Sequence, residues 1–436
     1  MTAGARDGML YYGRAIRIPS RSSLVSDLIV AGRIGPLKKR LRQRVTVTGR
    51  NSSVSVSQGG MLCPVLWLIW LGTAGSLSAA DLSVQVSFAD AKNRERTVDG
   101  RIVVEASDGG IVLLGQDGRL WNITPKQIRH QTATGKPFSL FTAKELGPRL
   151  QTELGDRFRI VRTTHYVICS STGVRYAKWC GALFERLLTS FRSYWRTRGL
   201  ELHAPPGPLI AIILADRKQF ARYAAADVGS AAEMSKGYYS IRSNRMVLYD
   251  LTAGEAVRPA RTIQEIVRRV SASPLTVATV VHEATHQIAF NSGMHTRYAD
   301  NPLWLTEGMA MYFEAPDLRS RAGWRTAGKI NPARMRRFQD YRRKRRKSGS
   351  LQRLFTDDQR FNDPKTAADA YAEAWALTYF LIRKKGRRYA RYLQLISRKR
   401  PLRFDKPEQR LIDFRKAFGD DLDRLDRDFL RYMRRR

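Results

Sequence analysis

The chain has 436 residues, 43% of them hydrophobic and 27% charged, and a formal net charge of +38. Apolar residues are spread along its length, which excludes a disordered or fibrous composition and leaves room for a sizeable core in about two or three domains. The charge either forms solvated helix faces with no partner or favours contact with anionic lipid, nucleic acid or acidic envelope polymers. No RNP-type strand, zinc-finger spacing or glycine-rich phosphate loop accompanies it, so specific nucleic-acid recognition is not expected.

Residues 51–80 carry no charge, and residues 62–71 form a short apolar run directly after Met61. Small residues follow, with Ser78 and Ala80 suited to a signal-peptidase site. The run is too short for a comfortable membrane span and suits the apolar core of a signal peptide. Met61 is therefore expected to be the natural start, residues 1–60 a mistaken or disordered upstream extension, and residues 61–80 a signal peptide for export to the periplasm, envelope or medium. The basic stretch at 38–44 supports an alternative, a signal anchor that tethers the protein to a membrane. Removal of the signal leaves Cys169 and Cys180. Either they oxidise to a disulfide after export or they remain a reduced, buried pair.

Residues 81–135 alternate β-prone runs with Asp-Gly turns at 108–109 and 117–118, a hairpin signal. This part resembles a small SH3-like barrel of the SLA1 homology type, which implies a binding or spacing module. Residues 136–156 are expected to be a linker with a leading helix. The catalytic part, 157–436, is expected to begin with a strand over 158–169 and a helix over 176–199. A buried strand over 208–214, a helix over 218–226 and a hairpin formed by 237–241 and 245–249 follow. From Ile263 the pattern is helical almost to the end. The basic run at 342–347 is expected to be an exposed or mobile loop. The fold class is thus α+β, a small barrel-like β module before a mixed sheet and a helical lobe.

The chemistry concentrates in His282-Glu283-Ala284-Thr285-His286. Residues four apart on a helix share a face, so His282 and His286 can grip one zinc ion, with Glu283 beside them to take a proton from an activated water. The apolar run at 275–281 places this motif on a buried helix. Turn signals at 291–293 and 300–302 let the chain reverse and offer Glu307, on a second helix, as third ligand.

The motif together with the segment from Trp304 to Glu314 resembles the gluzincin metallopeptidases, whose aminopeptidase branch carries a similar second helix. The segments 164–168, 237–239, 282–293, 371–377 and 414–419 add a closer resemblance to a bacterial family of presumed secreted proteins known only as domain of unknown function 1570. The resemblance implies a zinc cofactor, peptide hydrolysis, and an edge strand at 237–241 above the metal that pairs with extended peptide. It also implies a role for Tyr371, which precedes Glu373 as in the aminopeptidase tyrosine motif, as donor to the oxyanion; a core aromatic is the alternative. No Gly-x-Met-Glu-Asn segment is present to hold a free substrate amine, which favours endopeptidase over exopeptidase activity.

Glu314, two turns after Glu307, is expected to support a ligand from behind or to pair with an arginine. His295 and His165 are expected to be structural. The function expected is that of an exported zinc endopeptidase acting on peptide or protein. The alternative is a non-catalytic envelope- or nucleic-acid-binding protein with a structural or relict zinc site.

Overall fold

The computed structural model describes residues 82–436 except 234, 253–258, 273, 319 and 321–322. The expected upstream extension, signal peptide and cleavage site lie outside the described residues. No described helix is long and apolar enough to cross a membrane.

Apolar residues of β1 (Leu82–Ala89), β2 (Glu95–Glu105), β3 (Ile111–Gly115) and β4 (Leu120–Ile123) bury one face of the first sheet, and β3 and β4 bury residues on both faces. With β5 (Ile128–Pro137), all pairings are antiparallel in the order β4-β3-β2-β1-β5. The sheet is open, not the barrel expected: β5 pairs only with β1, and β4 only with β3. Instead of pairing with β5, β4 turns its first N–H outward, and Leu120 donates to the Arg242 carbonyl at 2.8 Å. Val86, Phe88, Ile111, Leu113 and Ile123 form this sheet's own core.

The next segment holds α1 (Ala143–Leu154), started by a reciprocal capping box between Thr142 and Glu145. The second sheet then runs β6 (Arg159–Arg162), β7 (Tyr166–Ser170), β8 (Leu209–Leu214), β10 (Arg245–Tyr249) and β9 (Gly237–Tyr239) in spatial order. It is mixed. β7, β8 and β10 are parallel, while β6 and β9 are antiparallel edges. The single strand expected at 158–169 is a hairpin instead, because Glu185 accepts from the Thr163 hydroxyl at 2.6 Å and from the His165 N–H at 2.6 Å and holds a tight turn between them.

Helices cover both faces of this sheet, as parallel strands require. On one face α1 and α3 (Arg217–Val228) pack on Val167, Cys169, Ile210 and Ile212. On the other, α2 (Val174–Arg196) packs with Tyr166, Ile168, Ala211 and Ile213, and its buried residues include Cys180. Cys169 and Cys180 thus lie on opposite faces, and both are free. The disulfide alternative is not realised.

Beyond α4 (Ile263–Ala272) the chain is helical: α5 (Pro274–Asn291), α6 (Leu303–Phe313), α7 (Pro332–Lys344), α8 (Ser350–Thr356), α9 (Ala367–Ser397), α10 (Pro407–Phe418) and α11 (Leu422–Arg434). The basic run is not a loose loop. Residues 342–344 end α7, Arg345 pairs with Asp369 at 2.7 Å, and Arg346, with its side chain 6% exposed, bridges Glu373 and Asp426. The acidic partners come from α9 and α11, outside the local sequence.

α6 is buried at every position, and it packs closely on α9 at Gly308. A Cβ there would overlap the Thr378 hydroxyl and lie 2.9 Å from the Ala374 carbonyl oxygen. Alanine in place of a helical glycine ordinarily adds up to about 1 kcal/mol of stability. Here the steric term wins, so Gly308→Ala should lower unfolding stability by about 1–3 kcal/mol in a denaturant titration.

Candidate metal centre

The middle of α5 is apolar, and Val277, Val280, Val281, Ala284 and Ile288 are nearly inaccessible. This burial carries the polar motif inward, leaving His282 5% and His286 1% exposed. Met294 and His295 turn the chain back on the Ala289 carbonyl, and α6 begins at Leu303. The start of α6 is fixed by a group absent from the sequence reading. Asp358 accepts the Leu303 N–H at 3.0 Å, while Arg410 from α10 grips both Asp358, at 2.8 Å, and Asp300, at 2.6 Å.

This arrangement brings Glu307 against the two histidines. His282 Nε2 lies 3.2 Å from Glu307 Oε2 and 3.1 Å from His286 Nε2, which is 3.8 Å from Glu307 Oε2. Donors on one four-coordinate ion with bonds of about 2.0–2.1 Å stand roughly 3.3 Å apart, so the three atoms have the spacing of a shared divalent ion. Among the described residues they form the one group that meets a common metal-site geometry. The electrostatics agree. Burial opposes charge on His282, but hydrogen bonds to Glu307 and Glu314 outweigh it and push its pKa up to about 10. Burial would raise Glu307, yet His286 and the hydrogen bonds from both histidines bring it down to about 2. Positive charge is favoured at this point, and a metal cation satisfies it when the histidines are neutral.

Behind the donors, His282 Nδ1 faces Glu314 Oε2 at 3.5 Å. Glu314 is itself held in a fork by Arg334, at 2.6 and 2.7 Å, and accepts from Asn331 at 2.8 Å. Both roles expected for Glu314 therefore coexist. Arg334 and Asn331, at the start of α7, had no distinguishing mark among the many basic and polar residues of the sequence.

Glu283 is 2% exposed and is not among the three donors. Its Oε2 accepts the Tyr239 N–H at 2.9 Å, which ties it to the edge strand β9. Burial raises its pKa to about 8. The β9–β10 turn is braced by paired Asn244 and Asn291 amides, and Tyr239 donates to Asn244 at 2.7 Å. The first sheet adds to this bracing: Arg297 donates to the Gly118 carbonyl at 2.8 Å and to Ile241 at 3.2 Å. Val112 and Leu120 share an apolar cluster with Tyr239, Ile241 and Phe290.

Tyr371, 7% exposed on α9, stands edge-on to Phe361 at 5.0 Å. Burial and the negative charges of Glu307 and Glu283 push its pKa well above the usual phenol value, which keeps the phenol a donor. His295 is 2% exposed, packs on Phe290 at 5.3 Å, and both its ring nitrogens are buried without a hydrogen-bond partner among the described residues. Burial holds it neutral, with a pKa drawn down to about 3. His165 is bound to Glu185 at 2.8 Å at the β6–β7 turn and is not part of the metal-donor group.

Residues 276–403 match the family described as Protein of unknown function (DUF1570). The match spans both histidines, Glu283, Glu307, Glu314 and Tyr371, and it supports the resemblance to that family. The segments 164–168, 237–239 and 414–419 lie outside it. No curated protein matches the chain.

The geometry sets expected losses. His286→Ala removes a donor and should abolish stoichiometric metal in elemental analysis. Glu314→Gln keeps all three donors but weakens the partner of His282, so metal affinity should fall about 10–100-fold in a chelator competition.

Proposed function

We propose that this chain is an exported zinc-dependent peptidase of the gluzincin type, acting as an endopeptidase on peptide or protein substrates. The observation that carries the reading is the division of labour at α5: His282, His286 and Glu307 converge on one point, while Glu283 stays outside that group, buried and held on β9. Two imidazoles and one carboxylate suit zinc and leave a position open for substrate or water.

When bound, zinc supplies a Lewis acid that polarises the scissile carbonyl and acidifies water. Glu283 accepts the water proton and passes it to the departing amine, a role for which a raised pKa is suited. Tyr371 donates its phenol hydrogen to the oxygen that gains charge as the carbonyl becomes tetrahedral. β9, an edge strand beside Glu283, offers backbone groups to an extended peptide and gives binding with little side-chain selectivity. Glu314 and Arg334 keep His282 oriented. The intact base argues against the relict-site alternative.

Glu283→Gln should keep zinc and fold but lose about 10²–10⁴-fold in rate on an unfolded protein substrate. Tyr371→Phe should lower turnover at unchanged zinc content. Cleavage by Glu283→Gln at the wild-type rate would assign the activity elsewhere. Export predicts a mature N-terminus near Asp81, checked by N-terminal sequencing of protein from its native host; intact residues 1–60 on cytosolic protein would overturn it.

A further inference from the structure

Away from the metal donors, α9 is interrupted. Lys385 leaves helical geometry at φ −137° and ψ 35°, and Gly386 follows it. Here α9 and the end of α2 border a cleft of about 820 Å³. Ile382, Gly386 and Ala390 lie along one side of α9 in this cleft, with Arg387, Arg391 and Gln394 beside them. Arg198 and Gly199 face them from the end of α2. Among the described residues no acidic one lines the cleft. None occurs in the chain between Glu373 and Asp405 either.

The three arginines are in different states. Arg198 is committed in part: its guanidinium lies 3.5 Å over the Tyr194 ring, and one nitrogen donates to the Tyr194 carbonyl at 2.9 Å. That contact holds it in place and leaves its other donors for a ligand. Arg387 and Arg391 are exposed and form no hydrogen bond or ion pair with the described residues. This distinguishes them from the basic run that ends α7, where Arg345 and Arg346 are neutralised by Asp369, Glu373 and Asp426. Arg387 and Arg391 are four apart on a helix, which places their Cβ atoms about 5–6 Å from each other. Two guanidinium forks carried from neighbouring positions can grip separate phosphates of one chain.

We propose that this cleft binds a linear polymer whose charge is carried on phosphate groups, with Arg198, Arg387 and Arg391 as its ligands. A concave site suits a chain that enters it better than it suits the flat face of a bilayer. The inference is independent of the peptidase reading, because it involves no metal donor and none of the residues given a role in hydrolysis.

Gly386 provides a direct test. A Cβ there meets no atom within 4 Å, and its backbone is not left-handed, so a side chain would project into open space without disturbing the packing. Binding of fluorescently labelled inorganic polyphosphate to the full chain can be followed by anisotropy at physiological salt. Arg387→Ala with Arg391→Ala should weaken binding about ten-fold or more. Gly386→Glu, which places a carboxylate among the arginines, should do the same. Arg424→Ala with Arg427→Ala removes equal charge from exposed positions on α11 and should change affinity less than about two-fold. Equal weakening by that control pair would overturn the site in favour of diffuse attraction. So would binding to anionic vesicles with none to polyphosphate.

Discussion

His282, Glu283, His286, Glu307 and Glu314 are each no more than 5% exposed within an otherwise apolar helical core. Burying that many ionisable groups together is unfavourable unless each finds compensation. The surrounding structure divides the task. His282, His286 and Glu307 face one another at ion-binding distance, Glu314 is held by Arg334 and Asn331, and Glu283 accepts a backbone N–H from β9. The three facing donors leave the space that a cation would fill.

The first sheet is part of this support. Its β3–β4 turn bonds to Arg297, in the connection between the two helices of the candidate metal centre, and β4 bonds to the turn that follows β9. Through Tyr239 the second of these leads to Glu283. An open sheet is therefore consistent with its position: a strand edge that a closed barrel would consume is used for contact with the part that holds the candidate metal donors. Charge contributes at the same junction, where buried Arg245 on β10 makes a two-point contact with Glu153 of α1.

The positive charge of the chain has two physical meanings. Part of it is internal. Arg334, Arg346, Arg360 and Arg410 neutralise buried carboxylates and fasten helices that carry or flank the metal donors. The rest lies on the surface, and the acid-free stretch of α9 gathers some of it along one cleft.

The residues that converge as metal donors were legible in the sequence because their spacing is local. His282 and His286 differ by one helical turn, an apolar run precedes them, and turn residues separate them from the helix of Glu307. The hairpins at Asp-Gly and at 242–244 were legible for the same reason. What the sequence could not decide were pairings between distant segments. The division of 158–169 into two strands depends on Glu185, and the order at 345–346 depends on Asp369, Glu373 and Asp426. The separation of Cys169 from Cys180 depends on which face of the sheet each helix covers, and the first N–H of β4 is taken by the distant Arg242 carbonyl. Local periodicity specifies which face of an element is buried, but not which partner covers it or which of many arginines meets a given carboxylate. Packing alone made those choices, since a buried charge accepts only the partner that the completed fold brings within reach.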